Sequence, residues 1–135
     1  MKVNLLAASL LITTLVSCDN AQKEAVKLAT DGVIAIHDEV MPKMGDLGTL
    51  EDVLTDSIAK SKTDSLTRKM IGLKADLKQA DSLMYAWMNG FSMDTLGTMK
   101  PEDALKYLND QRKSAEEMRT KTLKSIEAAQ LFLKK

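Results

Sequence analysis

Residues 25–54 read AVKLATDGVIAIHDEVMPKMGDLGTLEDVL, and this stretch decides the fold. Val26, Val33, Val40, Leu47 and Leu54 stand seven apart, with Ala29, Ile36 and Leu50 between them and His37, Met44 and Ile58 one position on. Apolar side chains at that spacing form one stripe along a helix and do not alternate as a half-buried strand would. Three residues oppose the helix. Pro42 removes a ladder hydrogen bond and crowds the preceding turn, while Gly45 and Gly48 each weaken a helix by about 1 kcal/mol. The stripe nevertheless keeps its phase across them, which predicts one long helix kinked at Pro42. The alternative is a break near Gly45–Gly48 and a restart capped by Thr49, with Asp52 three residues later.

Two further stripes follow. Ser61–Ser65 is a polar turn with several candidate N-caps, and beyond it Leu66, Leu73, Ala80 and Trp87 interleave with Met70, Leu77, Met84 and Phe91. Asn89-Gly90 makes a good helix end. Residues 91–100 are expected as a loop, an unusually apolar one carrying Phe91, Met93, Leu96 and Met99. Pro101 suits the first position of a third helix, and Glu102 and Asp103 suit its positive end. That helix carries a thinner stripe of Ala104, Leu108, Ala115, Met118, Ile126, Ala129 and Leu133, interrupted by Gln111 and Thr122. Three amphipathic helices joined by short connections predict an all-α fold, an antiparallel three-helix bundle with a long first helix.

Composition agrees and excludes several function classes. The 135 residues include nine Met, two Pro and 4% aromatics, a helix-forming balance. Nineteen Lys and Arg against nineteen Asp and Glu leave no basic footprint, which argues against a nucleic-acid partner. One Cys excludes a disulfide framework and any Cys-based zinc cluster.

That Cys ends the first eighteen residues, MKVNLLAASLLITTLVSC. Lys2 is a positive n-region and Val3–Val16 an apolar core too short to cross a bilayer, which needs roughly 20 apolar residues. Leu15-Val16-Ser17-Cys18 then resembles a bacterial lipobox. The expectation is a signal peptide over 1–17, a lipidated tether over 18–22 and a helical bundle over 23–135. Cys18 would be the lipidation site and membrane lipid its partner, because two or three acyl chains anchor stably where one does not. Cleavage before Cys18 would leave 118 residues with 18 basic and 19 acidic side chains, since only Lys2 is lost among the charges. A cleaved, unlipidated signal with an idle thiol is the plainer reading, but no Ala-x-Ala site precedes Asp19 suitably.

The runs His37–Gly45 (HDEVMPKMG), Met84–Met88 (MYAWM), Tyr107-Leu108 and Ser125–Ala129 (SIEAA) together resemble a family of small Gram-negative lipoproteins often labelled "viral A-type inclusion protein". The likeness spans nearly the whole mature chain and is thinnest over Gly48–Lys62. It implies a helical lipoprotein and brings no catalytic or ligand residue with it.

Little material for catalysis is present. His37, Asp38 and Glu39 are adjacent, but successive helical residues fan out by about 100° and cannot converge on one substrate. No enzymatic activity, small-molecule substrate or obligatory cofactor is expected. A subtler grouping exists. His37, Met41 and Met44 share a helical face, and a hairpin turning near residue 62 pairs positions whose numbers sum to about 125. His37 then falls near Trp87 and Met88, and Met41 near Met84, with Leu105 and Tyr107 approaching the same layer from the third helix. Imidazole and thioethers suit Cu(I), a Trp face stabilises a nearby cation, and a His/Met pair also serves haem. The alternative reading is therefore a periplasmic soft-metal binder using His37, Met41, Met44, Met84 or Met88. Core packing is the bland one, since Met fills irregular gaps and a lone His beside a core stripe is commonly just hydrogen-bonded. Ile34, Met41, Ile71, Leu83 and Met88 flank the stripes and either widen the buried face or leave a patch for a protein partner or self-association.

Overall fold

The computed structural model describes residues 13–134, and the side chains of residues 19–134. Residues 1–12 of the expected leader and the Cys18 side chain lie outside the described residues. Five helices form: α1 (Thr13–Val40), α2 (Met44–Lys60), α3 (Asp64–Gly90), the short α4 (Met93–Thr98) and α5 (Pro101–Leu133). No strand occurs among the described residues.

The first arm bends without breaking. A 3-10 turn, Met41–Lys43, joins α1 to α2, and Val40, Lys43 and Met44 all keep right-handed helical torsions. Pro42 explains the tightened turn, because it supplies no N–H to the ladder and its ring crowds the turn before it. Phase survives: Val33, Ile36, Val40, Leu47 and Leu54 are all buried. The break at Gly45–Gly48 does not occur, and Thr49 is an interior helical residue whose hydroxyl donates to the Gly45 carbonyl at 3.0 Å. Residues 19–22, expected as a tether, are exposed and already helical within α1.

Registers follow from side-chain pairs. The His37 ring stacks on Trp87, so the first arm and α3 run antiparallel. Lys121 meets Asp76, the Trp87 indole reaches the Gln111 carbonyl and Tyr107 reaches Gly90, so α3 and α5 are antiparallel too. Arg119 pairs with Glu39, which leaves α1 parallel to α5. The element contacts divide along the arm, with α1 packed chiefly on α5 and α2 on α3.

Two apolar clusters result. One gathers Val33, Ile36 and Val40 with Met84, Trp87, Leu96, Ala104, Leu108, Ala115 and Met118. The other gathers Leu47 and Leu54 with Met70, Leu73, Leu77, Ala80, Ile126 and Ala129. Met44, beside the kink, packs against both. Between them α5 buries two polar side chains, Thr122 and Ser125. Ser125 Oγ lies 2.7 Å from the Lys121 carbonyl and 3.2 Å from that of Asp76, so its proton has acceptors. Thr122 Oγ1 is fully buried and without a hydrogen-bond partner.

Two departures from the sequence reading have local causes. Residues 91–100 are not simply a loop. Ser92 Oγ accepts a hydrogen bond from the Thr95 backbone N–H at 3.1 Å, which caps the six-residue α4 and turns Leu96 into the core. Leu66, placed in the second stripe, is half exposed because it lies in the first turn of α3, at the rim of the bundle. Of the flanking residues, Ile34 and Leu83 are half-buried, whereas Met41, Ile71 and Met88 are exposed.

Thr122→Val keeps the side-chain shape and removes the orphaned hydroxyl. It is expected to stabilise the fold by about 1 kcal/mol, raising the melting temperature by about 4 °C. Calorimetry showing a loss of stability would mean that the hydroxyl is satisfied after all. Gly48 is exposed and helical, with open space where a Cβ would stand. Gly48→Ala should therefore add about 0.5–1 kcal/mol in urea denaturation.

Candidate functional site

One end of the bundle gathers most of the chain's aromatic side chains. There the start of α1 meets α4 and the α5 N-terminus, and Tyr107 of α5 meets the α3 C-terminus. His37 from α1 and Trp87 from α3 stack with ring centroids 5.5 Å apart and planes 29° from parallel. Trp87 stacks in turn on Phe91 at 5.1 Å, and Phe91 on Tyr107 of α5 at 6.1 Å. Two of these rings are also held by their polar edges. The Trp87 indole N–H donates to the Gln111 carbonyl at 3.3 Å. The Tyr107 hydroxyl donates to the Gly90 carbonyl at 3.2 Å and accepts from the Ser92 N–H at 3.0 Å. The chain leaving α3 is thus tied to α5 before α4 begins. The i, i+4 spacing of Trp87 and Phe91 is a readable signal for this stack, but the reach of Tyr107 from another helix is not.

The five candidate ligand residues separate into two environments. Met84 is fully buried in the first apolar cluster, and Met44 is half-buried against both clusters. Met41 and Met88 are each 41% exposed and belong to neither. His37 lies at the edge of the core, its side chain 22% exposed, with Nδ1 3.0 Å from Asp38 Oδ1. The expectation that His37 falls near Trp87 is met directly. No group of three or more His, Cys, Asp or Glu side chains converges among the described residues.

Elsewhere the surface offers open hollows. One of about 550 Å³ runs between α3 and α5 and mixes both signs of charge, through Glu116, Glu117, Lys121 and Lys124. One of about 460 Å³ sits at the opposite end, lined by Ser57, Leu66, Met70, Phe132 and Leu133, and is mostly apolar. Two smaller ones flank the start of α1 beside Lys23 and Val26. Here the exposed Lys27 ammonium is held above its ordinary pKa, first by its hydrogen bond to Asp31 and then by that carboxylate's charge. No helix of the described residues is long and apolar enough to cross a membrane. Comparison with protein-family models, curated proteins and solved structures finds no match to this chain.

The Tyr107 hydroxyl joins α5 to the turn before α4 through two hydrogen bonds, so Tyr107→Phe should cost about 1–2 kcal/mol in chemical denaturation. Equal stability of the two proteins would show that Phe91, Leu96 and Met99 hold this end by packing alone.

Proposed function

We propose that the chain is a lipoprotein of the bacterial cell envelope, anchored through acylated Cys18 and facing the periplasm, with a helical bundle serving as a non-enzymatic structural or interaction module. The observation that carries this reading is the order of residues 1–18: one basic residue, a short apolar core, and Leu-Val-Ser-Cys ending on the chain's single thiol. Acyl chains supply the anchorage, each buried CH₂ contributing about 0.8 kcal/mol. The resemblance to small Gram-negative lipoproteins points the same way.

The geometry of α1 bears on how such an anchor would present the bundle. Helix is continuous from the first mature residues into the core, so the bundle would stand directly on its anchor rather than swing on a flexible linker. At 1.5 Å per residue the hairpin end of the first arm lies roughly 60 Å along the helical path from Cys18. The apolar 91–100 segment spends Phe91, Leu96 and Met99 on the core and leaves only Met93 of its large apolar side chains exposed. Exposed Leu66 and Leu131 and the hollow between α2, α3 and α5 suit a protein partner, or a second copy, better.

Fractionation of the producing cells tests the anchor. The native chain is expected in the membrane pellet, resistant to high salt and released by detergent, while Cys18→Ser moves to the soluble periplasmic fraction or stays as uncleaved precursor. A Cys18→Ser chain that is processed and still fully membrane-bound would contradict acyl anchoring.

A further inference from the structure

We propose that His37, Met41 and Met88 form a binding site for a soft monovalent cation of the Cu(I) class, beside the aromatic stack that joins α1 to α3. The site does not depend on the lipid anchor. Its core is the orientation of one imidazole. Asp38 Oδ1 stands 3.0 Å from Nδ1, which favours the tautomer carrying its proton there and leaves the Nε2 lone pair free. Nε2 makes no protein hydrogen bond among the described residues. A carboxylate holding the far nitrogen is the outer arrangement that metal-binding histidines use to fix ring and tautomer.

Helical register assigns two thioethers to the same flank. Met41 follows His37 by four residues, so it shares that side of the arm. The His37–Trp87 stack sets the register between α1 and α3, and Met88, the next residue after Trp87, lies level with His37. Heading about 100° around α3 from Trp87, Met88 turns away from Ala86, whose side of the helix faces α5, and so toward the α1 flank. The buried Met70, Met84 and Met118 fill core gaps, whereas Met41 and Met88 remain 41% exposed beside the one His of the chain. Imidazole with thioethers selects soft, low-charge ions over hard divalent ones.

Trp87 is the only Trp, so the site carries its own reporter. The probe is Ag(I), an air-stable ion of the same class, titrated in chloride-free buffer into the full detergent-solubilised chain with any free thiol blocked by N-ethylmaleimide. The expected result is saturable quenching of Trp87 fluorescence at one equivalent. His37→Phe preserves a ring against Trp87 but removes the nitrogens, and should weaken binding at least about 100-fold. Met41→Leu and Met88→Leu should each weaken it by about tenfold, as should Asp38→Asn, which disturbs only the ring's orientation. Met70→Leu, a buried control, should leave the titration unchanged. Helical circular dichroism reports that each variant is folded. Absence of saturable quenching in the native chain, or an unaltered titration in folded His37→Phe, would overturn the proposal.

Discussion

The structure depends on one continuous seam, the buried face of α5. Across its 33 residues Ala104, Leu108, Ala115, Met118, Thr122, Ser125, Ile126 and Ala129 are all buried. Both apolar clusters draw on this face, the first through Ala104–Met118 and the second through Ile126 and Ala129. α1 and α3 lean on it directly, while α2 is held mainly by α3. Small residues at 104, 115 and 129 let the neighbouring backbones approach, and the larger side chains opposite, Trp87 and Leu77 among them, fill the space. Charged pairs at the edge of this seam, Arg119 with Glu39 and Lys121 with Asp76, are solvent-exposed and set register more than stability.

A second constraint acts on the first arm. Pro42 forces a local 3-10 turn, yet the same stripe must face α5 before the kink and α3 after it. Hydrophobic burial at Val40 and Leu47, on either side of the kink, outweighs the lost ladder bond, because a fully buried Leu or Val contributes roughly 1.5–3 kcal/mol. The heptad in the amino-acid sequence foretold this, since its phase crosses Pro42 unchanged. The helical hairpin and the His37–Trp87 level were legible for the same reason: periodicity and a three-residue turn determine register. What stayed hidden depends on contacts between distant residues. The α4 cap needs Ser92 and Thr95 in one geometry, and the tie from Tyr107 to Gly90 spans 17 positions. Thr122 looked like a gap in the stripe and proves to be inside it, because a helix cannot rotate one residue out of a seam.

Legibility of the site divides similarly. Spacing alone grouped one His with four Met and offered no means of sorting them. Burial sorts them: Met84 and Met44 serve the core, and Met41 and Met88 do not. The aromatic stack then explains why His37 lies at a core edge, since its ring extends the Trp87–Phe91–Tyr107 series rather than standing alone. The leader was read from composition and order without help from packing, and the case for anchoring rests there.

Under the anchoring proposed at Cys18, a helical bundle whose first helix runs on from the anchor is a body suited to hold or present something at a fixed distance from a membrane. The attachment is the central claim. Intact-mass spectrometry of the protein purified in detergent from its host cells tests it most directly. The account predicts a chain beginning at Cys18 and heavier than the bare 118-residue polypeptide by a diacylglyceryl group, with or without a further acyl chain. A chain beginning elsewhere, or one carrying an unmodified Cys18, would contradict it.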